Sequence, residues 1–520
     1  MKLFRKSSKS SRTTPSNEET TKATTQSHGP SLLVSSTSNA SPSANTISHN
    51  YATTPARLAS EKRAEVDFFS EIGNSWNRKT LLTLDGGGIR GLSSLFVLLQ
   101  LMEEIKKIEY FKGVDCSAES PLFKSKPNPD YDKFRNEKMH NGAFRPCHYF
   151  DYIAGTSTGG IIAIMLGRLQ WSVEETIDSY RTMWTTMASA TSSHSLIPRG
   201  KEKSNNTQRL EESLRKILKT ESAKLGSDPK MCRTFVLAVE KSDVGYHKPY
   251  LFRSYPFVEN GSTDFNRNPR QDTECYRILD VCRATSATPS LKLEPIKGED
   301  GLTIRPQSKF QDGSRWTVNP SLEAYREINS MHNDIENPIL YMFSVGCGEP
   351  KPSRRSRGFL FRNSSLVLET SVEDVAVENM MYKKSMSSEF GYCRVTGPDF
   401  LPGLNEKECR SDTEGIETFR KIKEAVEECC KKHWEEIQSC ANQLVELRHR
   451  RAKTSRWEEF AFGYKYVCAI CRKESRTPNL PFQHRADFVD HLRQDHDKPP
   501  ETDDFLPELQ SIISQSRIID

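Results

Sequence analysis

A serine held between glycines, where an apolar run gives way to a helix, is the first place in this chain where chemistry could be done. Gly155-Thr156-Ser157-Thr158-Gly159 follows Tyr152-Ile153-Ala154 and precedes the apolar stretch Ile161 to Leu166. A tight turn between a strand and a helix lifts a serine hydroxyl out of the backbone, and small neighbours permit that turn. The helix start adds unpaired N–H groups and the positive end of its dipole. The pattern predicts a nucleophile for acyl transfer. Taken alone it recurs by chance, and a small-residue turn without chemistry is the plainer account.

A second glycine element, Asp85-Gly86-Gly87-Gly88-Ile89-Arg90-Gly91, closes a predicted strand at Lys79 to Leu84. Backbone amides at Gly86, Gly87 and Gly88, with no Cβ in the way, can converge on a carbonyl oxygen and form an oxyanion hole. Losing one such donor costs roughly a hundred- to a thousand-fold in rate. The same letters match G-x-G-x-x-G, the dinucleotide fingerprint. That fingerprint expects a second strand ending in an acid about 20 positions on. Glu109 instead ends a helix and enters a polar stretch, which counts against a nucleotide. Further on, Asp312-Gly313 lies in a loop punctuated by glycine and Pro320; by itself such a dipeptide is an ordinary surface turn.

These residues need a scaffold. Strand, glycine loop and helix occur twice, at 79–108 and 152–166, which implies a parallel sheet. Further strands are expected at Thr234 to Val239, Tyr250 to Arg253 and Ile339 to Val345, and a helix at Gln208 to Leu218. The class is α/β. Residues 112–147 lack either period and read as a surface insertion.

Taken together and in order, Asp-Gly-Gly-Gly-Ile-Arg-Gly at 85–91, Gly-Thr-Ser-Thr-Gly-Gly at 155–160 and Asp-Gly at 312–313 resemble the patatin-like phospholipases, relatives of calcium-independent phospholipase A2. Cys282-Arg283-Ala284-Thr285-Ser286-Ala287-Thr288-Pro289 and Asn319-Pro320 add to the likeness, which spans about 75–350. The resemblance implies a three-layer α/β/α domain with a mostly parallel central sheet. It also implies a serine and aspartate dyad without histidine. Ser157 would be the nucleophile, Asp312 the general base and Gly86, Gly87 and Gly88 the oxyanion hole, with Asp85, Arg90, Gly91, Gly155, Gly159 and Gly313 supporting the motifs. Catalysis would need no cofactor and no calcium. Arg90 is expected to brace its loop through carboxylate or carbonyl contacts. Ser314 departs from the family, which usually has Gly or Ala there. His332 is the histidine an α/β-hydrolase triad would use; no motif surrounds it, and it is expected in solvent.

The implied activity is lipid acyl hydrolysis of the phospholipase A type. An acyltransferase using the same dyad and a non-enzymatic regulator with a nucleic-acid-binding finger are the alternatives. Intact Ser157, Asp312 and glycine loop favour an enzyme.

A separate group sits near the C-terminus. Cys468-x-x-Cys471 with His491 and His496 has the ligand types of a tetrahedral zinc site. Tyr466, Phe482 and Phe488 complete a frame that resembles a Cys2His2 zinc finger. The long gap after Cys471 leaves His484 as another candidate ligand. A lone finger reads about three base pairs, so a protein partner or a capping role is as reasonable as nucleic acid. The nearby Arg448, Arg450, Arg451, Lys453 and Arg456 could touch phosphates, although such a run is usually a solvated helix face. Arg354, Arg355 and Arg357, followed by Phe359-Leu360-Phe361, combine charge with apolar side chains in a manner suited to an anionic membrane surface.

The bulk numbers agree with an enzyme carrying extra segments. Of 520 residues, 28% are charged and 35% hydrophobic, polar enough that part of the chain is expected not to pack. Residues 1–74 are that part, a Ser/Thr-rich disordered tail. The hydrolase domain is expected at 75–405, a helical linker at 406–458, the finger-like module at 459–500 and an acidic tail at 501–520. The basic start lacks an apolar h-region, so no secretory signal is read; its Arg-, Lys- and Ser-rich opening has presequence character broken by Glu18 and Glu19. No apolar run reaches the 18 or so residues of a membrane span. Thirteen scattered cysteines suit a reducing compartment. A net charge of +5 is too mild to announce nucleic acid. The expectation is a cytoplasmic enzyme acting peripherally on membranes.

Overall fold

Lys79–Leu84 is buried at every position, the mark of a strand covered on both faces. The computed structural model describes residues 74–114, 144–189, 199–218, 222–241, 247–257, 276–287, 291–293, 296–297, 303–305, 307–348, 361–399, 413–454, 456–474, 481–482, 485–498 and 506–519. The N-terminal tail up to 73, the insertion from 115 to 143, the basic loop at Arg354 to Leu360, and His484 lie outside them.

The strands are β1 (Lys79–Leu84), β2 (Tyr152–Thr156), β3 (Arg233–Lys241), β4 (His247–Arg253), β5 (Leu291–Leu293), β6 (Ile296–Lys297), β7 (Thr303–Arg305), β8 (Ser308–Asp312), β9 (Ile339–Gly346) and β10 (Gly391–Thr396). β10, β9, β1, β2 and β3 are neighbours in that order, all parallel. β4 and β8 pair antiparallel with β3, and β5 with β8; β6 and β7 form a small ladder apart. The sheet is mixed, with a parallel centre.

One register places the site. β4 occupies one edge of β3 from Phe235 to Lys241. β2 and β8 therefore share the other edge, where Thr156 faces Leu237 and Asp312 faces Ala238. One strand climbs that edge as the other descends, and their last residues meet. Asp312 thus ends a strand, where the sequence suggested only a loop.

The helices are α1 (Gly91–Phe111), α2 (Thr158–Ala163, continued by a π-turn at Ile164–Arg168), α3 (Val173–Ser189), α4 (Arg199–Leu218), α5 (Ile278–Thr285), α6 (Ser321–Met331), α7 (Phe361–Ser387), α8 (Thr413–Lys432), α9 (Trp434–Ala452) and α10 (Trp457–Phe462). Alternation along β1 splits the core. Leu82 and Leu84 join Phe343, Val345, Leu95 and Leu98 on one face. Leu81 joins Tyr152, Phe235 and Met342 on the other, against Ala324 and Ile328 of α6 and Val377 and Met381 of α7. Helices cover both faces, which makes three layers.

The segment expected to be a linker is part of this core. Phe419, Ile422 and Val426 of α8 and Ile437, Ala441, Leu444 and Val445 of α9 are buried with α1 in the first cluster. α9 is also held by charge: Arg448 makes a two-pronged contact with Glu109 at 2.6 and 2.9 Å, and Arg451 reaches Asp151 at 2.9 Å. These two arginines are buried in ion pairs and so cannot serve as phosphate contacts. Phe144 and Cys147, at the end of the supposed insertion, are likewise buried.

The last segment is not a loose tail either. α11 (Ala469–Lys473), α12 (Arg485–His496) and α13 (Leu506–Ser516) pack with a short antiparallel pair, β11 (Tyr464–Tyr466) and β12 (Arg517–Ile519).

Candidate active site

Ser157 stands between β2 and α2 at φ 54° and ψ −125°. A side-chain-bearing residue rarely adopts such a backbone, and holding it there costs of order 1–3 kcal/mol. The surroundings enforce it. A Cβ on Gly155 would lie 2.1 Å from the Gly159 carbonyl oxygen, and one on Gly159 would lie 2.4 Å from the Leu84 and Asp85 carbonyl oxygens. Glycine at both positions lets α2 start directly against β1 and β2. The Ser157 amide donates to Thr285 Oγ1 at 2.8 Å, and Thr285 donates in turn to the Leu237 carbonyl at 2.6 Å. Thr285 ends α5 and anchors the nucleophile turn to β3.

Ser157 Oγ donates to Asp312 Oδ2 at 2.9 Å. The other carboxylate oxygen, Oδ1, accepts from the Ser314 amide at 2.9 Å, which leaves Oδ2 to the serine. Burial pushes the Asp312 carboxyl above the usual carboxylate range, while the amide and hydroxyl donors work the other way. The result is a stronger base than an exposed aspartate. Gly313 backs against β3, where a Cβ would meet the Leu237 carbonyl at 2.3 Å.

The glycine loop lies beside this pair, each peptide fixed by a different neighbour. The Gly86 amide donates to the Val318 carbonyl at 3.1 Å, which removes Gly86 from the expected oxyanion donors: serving a substrate would break a buried bond. Gly87 makes only a long contact, 3.3 Å, to Thr158 Oγ1. Gly88, at φ +60°, opens a 3-10 turn (Gly88–Arg90), and a first-turn amide has no intrahelical acceptor. Of the three glycine amides, only that of Gly86 is tied to a backbone carbonyl among the described residues. The Gly88 carbonyl accepts from Tyr180 Oη, the Gly86 carbonyl from the Cys347 thiol at 3.5 Å, and Arg90 donates to the Gly348 carbonyl. A side chain at Gly86 would collide with Ser314 Oγ, at 2.3 Å. Gly91 starts α1 against the Tyr180 hydroxyl.

Asp85 carries a contact that the sequence does not suggest. Arg394 of β10 grips it through both nitrogens, at 2.6 and 3.3 Å, and also binds Asp374 of α7 at 2.8 Å. Asp374 accepts from Asn319 at 3.0 Å. Burial opposes the guanidinium charge, yet Asp85 and Asp374 hold Arg394 well above its ordinary pKa. One ion-pair chain therefore joins the glycine loop to the turn that follows Asp312.

His332 is elsewhere. Its Nε2 meets the Tyr152 hydroxyl at 2.9 Å at the start of β2, about 16 Å from the serine end at ~3.3 Å per residue. Burial lowers its imidazole to about 4. It is neither in solvent nor in reach of Ser157. The C-terminal quartet does converge: one ligand atom from each of Cys468, Cys471, His491 and His496 lies within 4.8 Å of the others.

The chain is similar in sequence to known proteins across this region. Residues 82–320 match the family model for patatin-like phospholipases. Patatin-like protein 1 of Arabidopsis thaliana is 22% identical, covering 66% of this chain and 80% of that protein. The probable inactive patatin-like protein 9 of the same plant is 24% identical over 61% of this chain and 74% of its own length. Calcium-independent phospholipase A2-gamma of Oryctolagus cuniculus is 25% identical over 52% of this chain, which spans only 28% of that protein. Among solved structures, VipD from Legionella pneumophila aligns at 12% identity over 67% of each chain with a TM-score of 0.23, too low to bear on the fold.

Proposed function

We propose, from the patatin-like phospholipase domain at 82–320, that this chain hydrolyses acyl esters of glycerolipids in the manner of a phospholipase A, with Ser157 as nucleophile and Asp312 as general base. The observation that carries this reading is the 2.9 Å contact between the two side chains, beside the amides of Gly87 and Gly88. Asp312 takes the hydroxyl proton as Ser157 Oγ attacks the ester carbonyl, and the tetrahedral oxyanion is met by the glycine amides. Asp312 then returns the proton to the departing alcohol, leaving an acyl-enzyme. Water, deprotonated by the same carboxylate, releases the fatty acid and restores the serine.

A lipid substrate is met at a membrane surface. Trp316, four positions after Asp312, is 38% exposed, and tryptophan settles at the apolar–polar boundary of lipid. The basic Arg354 to Phe361 stretch remains a second candidate for that contact.

Purified protein is expected to release fatty acid from phosphatidylcholine vesicles and to label covalently with a fluorophosphonate; Ser157→Ala and Asp312→Asn should each lose turnover by at least a thousand-fold, ~4 kcal/mol of barrier. Trp316→Ala should slow vesicle hydrolysis but spare a soluble ester. Normal turnover in either dyad variant ends the assignment, and acyl transfer to added lysolipid in place of free acid would convert it to a transacylase.

A further inference from the structure

We infer that Cys468, Cys471, His491 and His496 hold one zinc ion, and that the ion closes a small module fastened to the hydrolase through Glu458. The inference goes beyond the lipid chemistry and is independent of it. Zinc sits about 2.3 Å from a thiolate sulfur and about 2.0–2.1 Å from an imidazole nitrogen, so tetrahedral angles put sulfur and nitrogen about 3.6 Å apart. Cys468 Sγ to His496 Nε2 is 3.4 Å, Cys471 Sγ to His491 Nε2 is 3.5 Å and Cys471 Sγ to His496 Nε2 is 3.1 Å. These edges differ from the ideal by a few tenths of an ångström. Two thiols and two imidazoles set so close make four protein ligands, the full set of a closed structural site.

Two further contacts point to an ion and not to a chance cluster. His491 Nδ1 bonds the Asp495 carboxylate at 2.6 Å, which fixes the proton on Nδ1 and aims the Nε2 lone pair at the cysteines. Carboxylates behind metal-bound histidines do this as a rule. The Cys471 amide donates to Cys468 Sγ at 3.4 Å, which holds that sulfur in place beside the other three ligand atoms.

The module also needs a staple. Its apolar core is Tyr466, Phe488, Val489, Leu492, Leu509 and Ile513 around the two cysteines, far too little to hold three helices and a three-residue ladder unaided. Zinc would tie the Cys468–Cys471 turn to α12. From the hydrolase side, Glu458 of α10 accepts from the Tyr466 hydroxyl, from Arg517 at 3.0 Å and from Arg485 at 3.5 Å. Those three donors come from β11, β12 and α12.

The test is elemental analysis of the untagged full-length protein, with one zinc per chain expected, in wild type and in Ser157→Ala alike. Cys468→Ser should carry none. Asp495→Ala keeps all four ligands and should bind zinc about 10- to 100-fold more weakly, so a misfolded cysteine variant does not decide the matter. Cobalt exchanged into the site should give the intense visible bands of a tetrahedral centre with thiolate ligands. Metal-free protein, zinc content unchanged by Cys468→Ser, or unaltered affinity in Asp495→Ala would each overturn the inference.

Discussion

At Ser157 the backbone sits at φ 54°, and this strain has a measurable consequence. Glycine relaxes there without cost, whereas serine and alanine do not. Ser157→Gly is therefore expected to be inactive yet more stable than wild type by about 1 kcal/mol, the ~1–3 kcal/mol of strain less what glycine adds to the entropy of the unfolded chain. Denaturant unfolding of the Gly and Ala variants side by side measures it; equal midpoints would mean that the turn is unstrained. Asp312 allows a parallel comparison in pH. Its folded pKa is raised by burial, so its contribution to stability is complete below the unfolded value of about 3.9 and is lost as pH rises through the folded one. Above that point wild type keeps a buried carboxylate that Asp312→Asn does not, and the amide can still serve Ser314 and Ser157. The variant is expected to melt at the same or higher temperature than wild type near neutral pH, with the gap closing in acid. Wild-type turnover should fall on the acid side at a higher pH than an exposed aspartate would give. A variant that melts well below wild type at neutral pH would show that the carboxylate is satisfied, not costly.

At the scale of elements, the apolar runs of β1, β2, β3 and β9 and the glycine-bounded turns were legible because their signals are local. The meeting of β2 with β8 was not. Ser308–Asp312 is a five-residue strand of mixed burial, and its place beside β3 is set by pairing across some 70 positions of chain, which no short window reports. Thr285 stood within a recognised segment, but its role as anchor for the Ser157 amide appears only in three dimensions. Arg394 gave no sign at all, being one charge in Gly-Tyr-Cys-Arg-Val-Thr with partners just past β1 and on α7. It is nonetheless the piece that fixes the glycine loop. Burial already pushes the Asp85 carboxyl up to about 7 with the guanidinium in place, so replacing Arg394 is expected to leave it protonated in the core without its partner, and breaking such a pair costs up to ~3–5 kcal/mol. Arg394→Leu should lower stability by about that much and slow turnover even under conditions where it remains folded. Arg394→Leu joined to Asp85→Asn should recover much of the stability without the rate, as measured by urea unfolding and ester hydrolysis. A double variant no more stable than the single one would mean that the pair does not act as a unit.

Over the whole molecule, the apolar stripe of α8 and α9 was visible in the sequence, while the surface it covers was not; periodicity says that a face is buried but not against what. The difference bears on where the enzyme ends. Cutting after residue 405 would strip α1 of its cover and leave Glu109 without Arg448 and Asp151 without Arg451, two buried carboxylates deprived of their guanidinium partners. The module beyond α10 has a different standing, since it carries its own small core and α12 turns Asp487, Asp490 and Asp495 to solvent, with Asp497 exposed just beyond it. Those acidic side chains would repel the phosphates a nucleic-acid reader must approach. A chain ending at 405 is expected to be insoluble or unfolded. One ending at 462 is expected to keep α8 and α9 in place and to retain ester hydrolysis, with a loss of stability small beside that of the shorter chain. Soluble, active protein from the shorter truncation would mean that α8 and α9 are accessories after all, and that α1 can face water with Glu109 and Asp151 lacking their arginines.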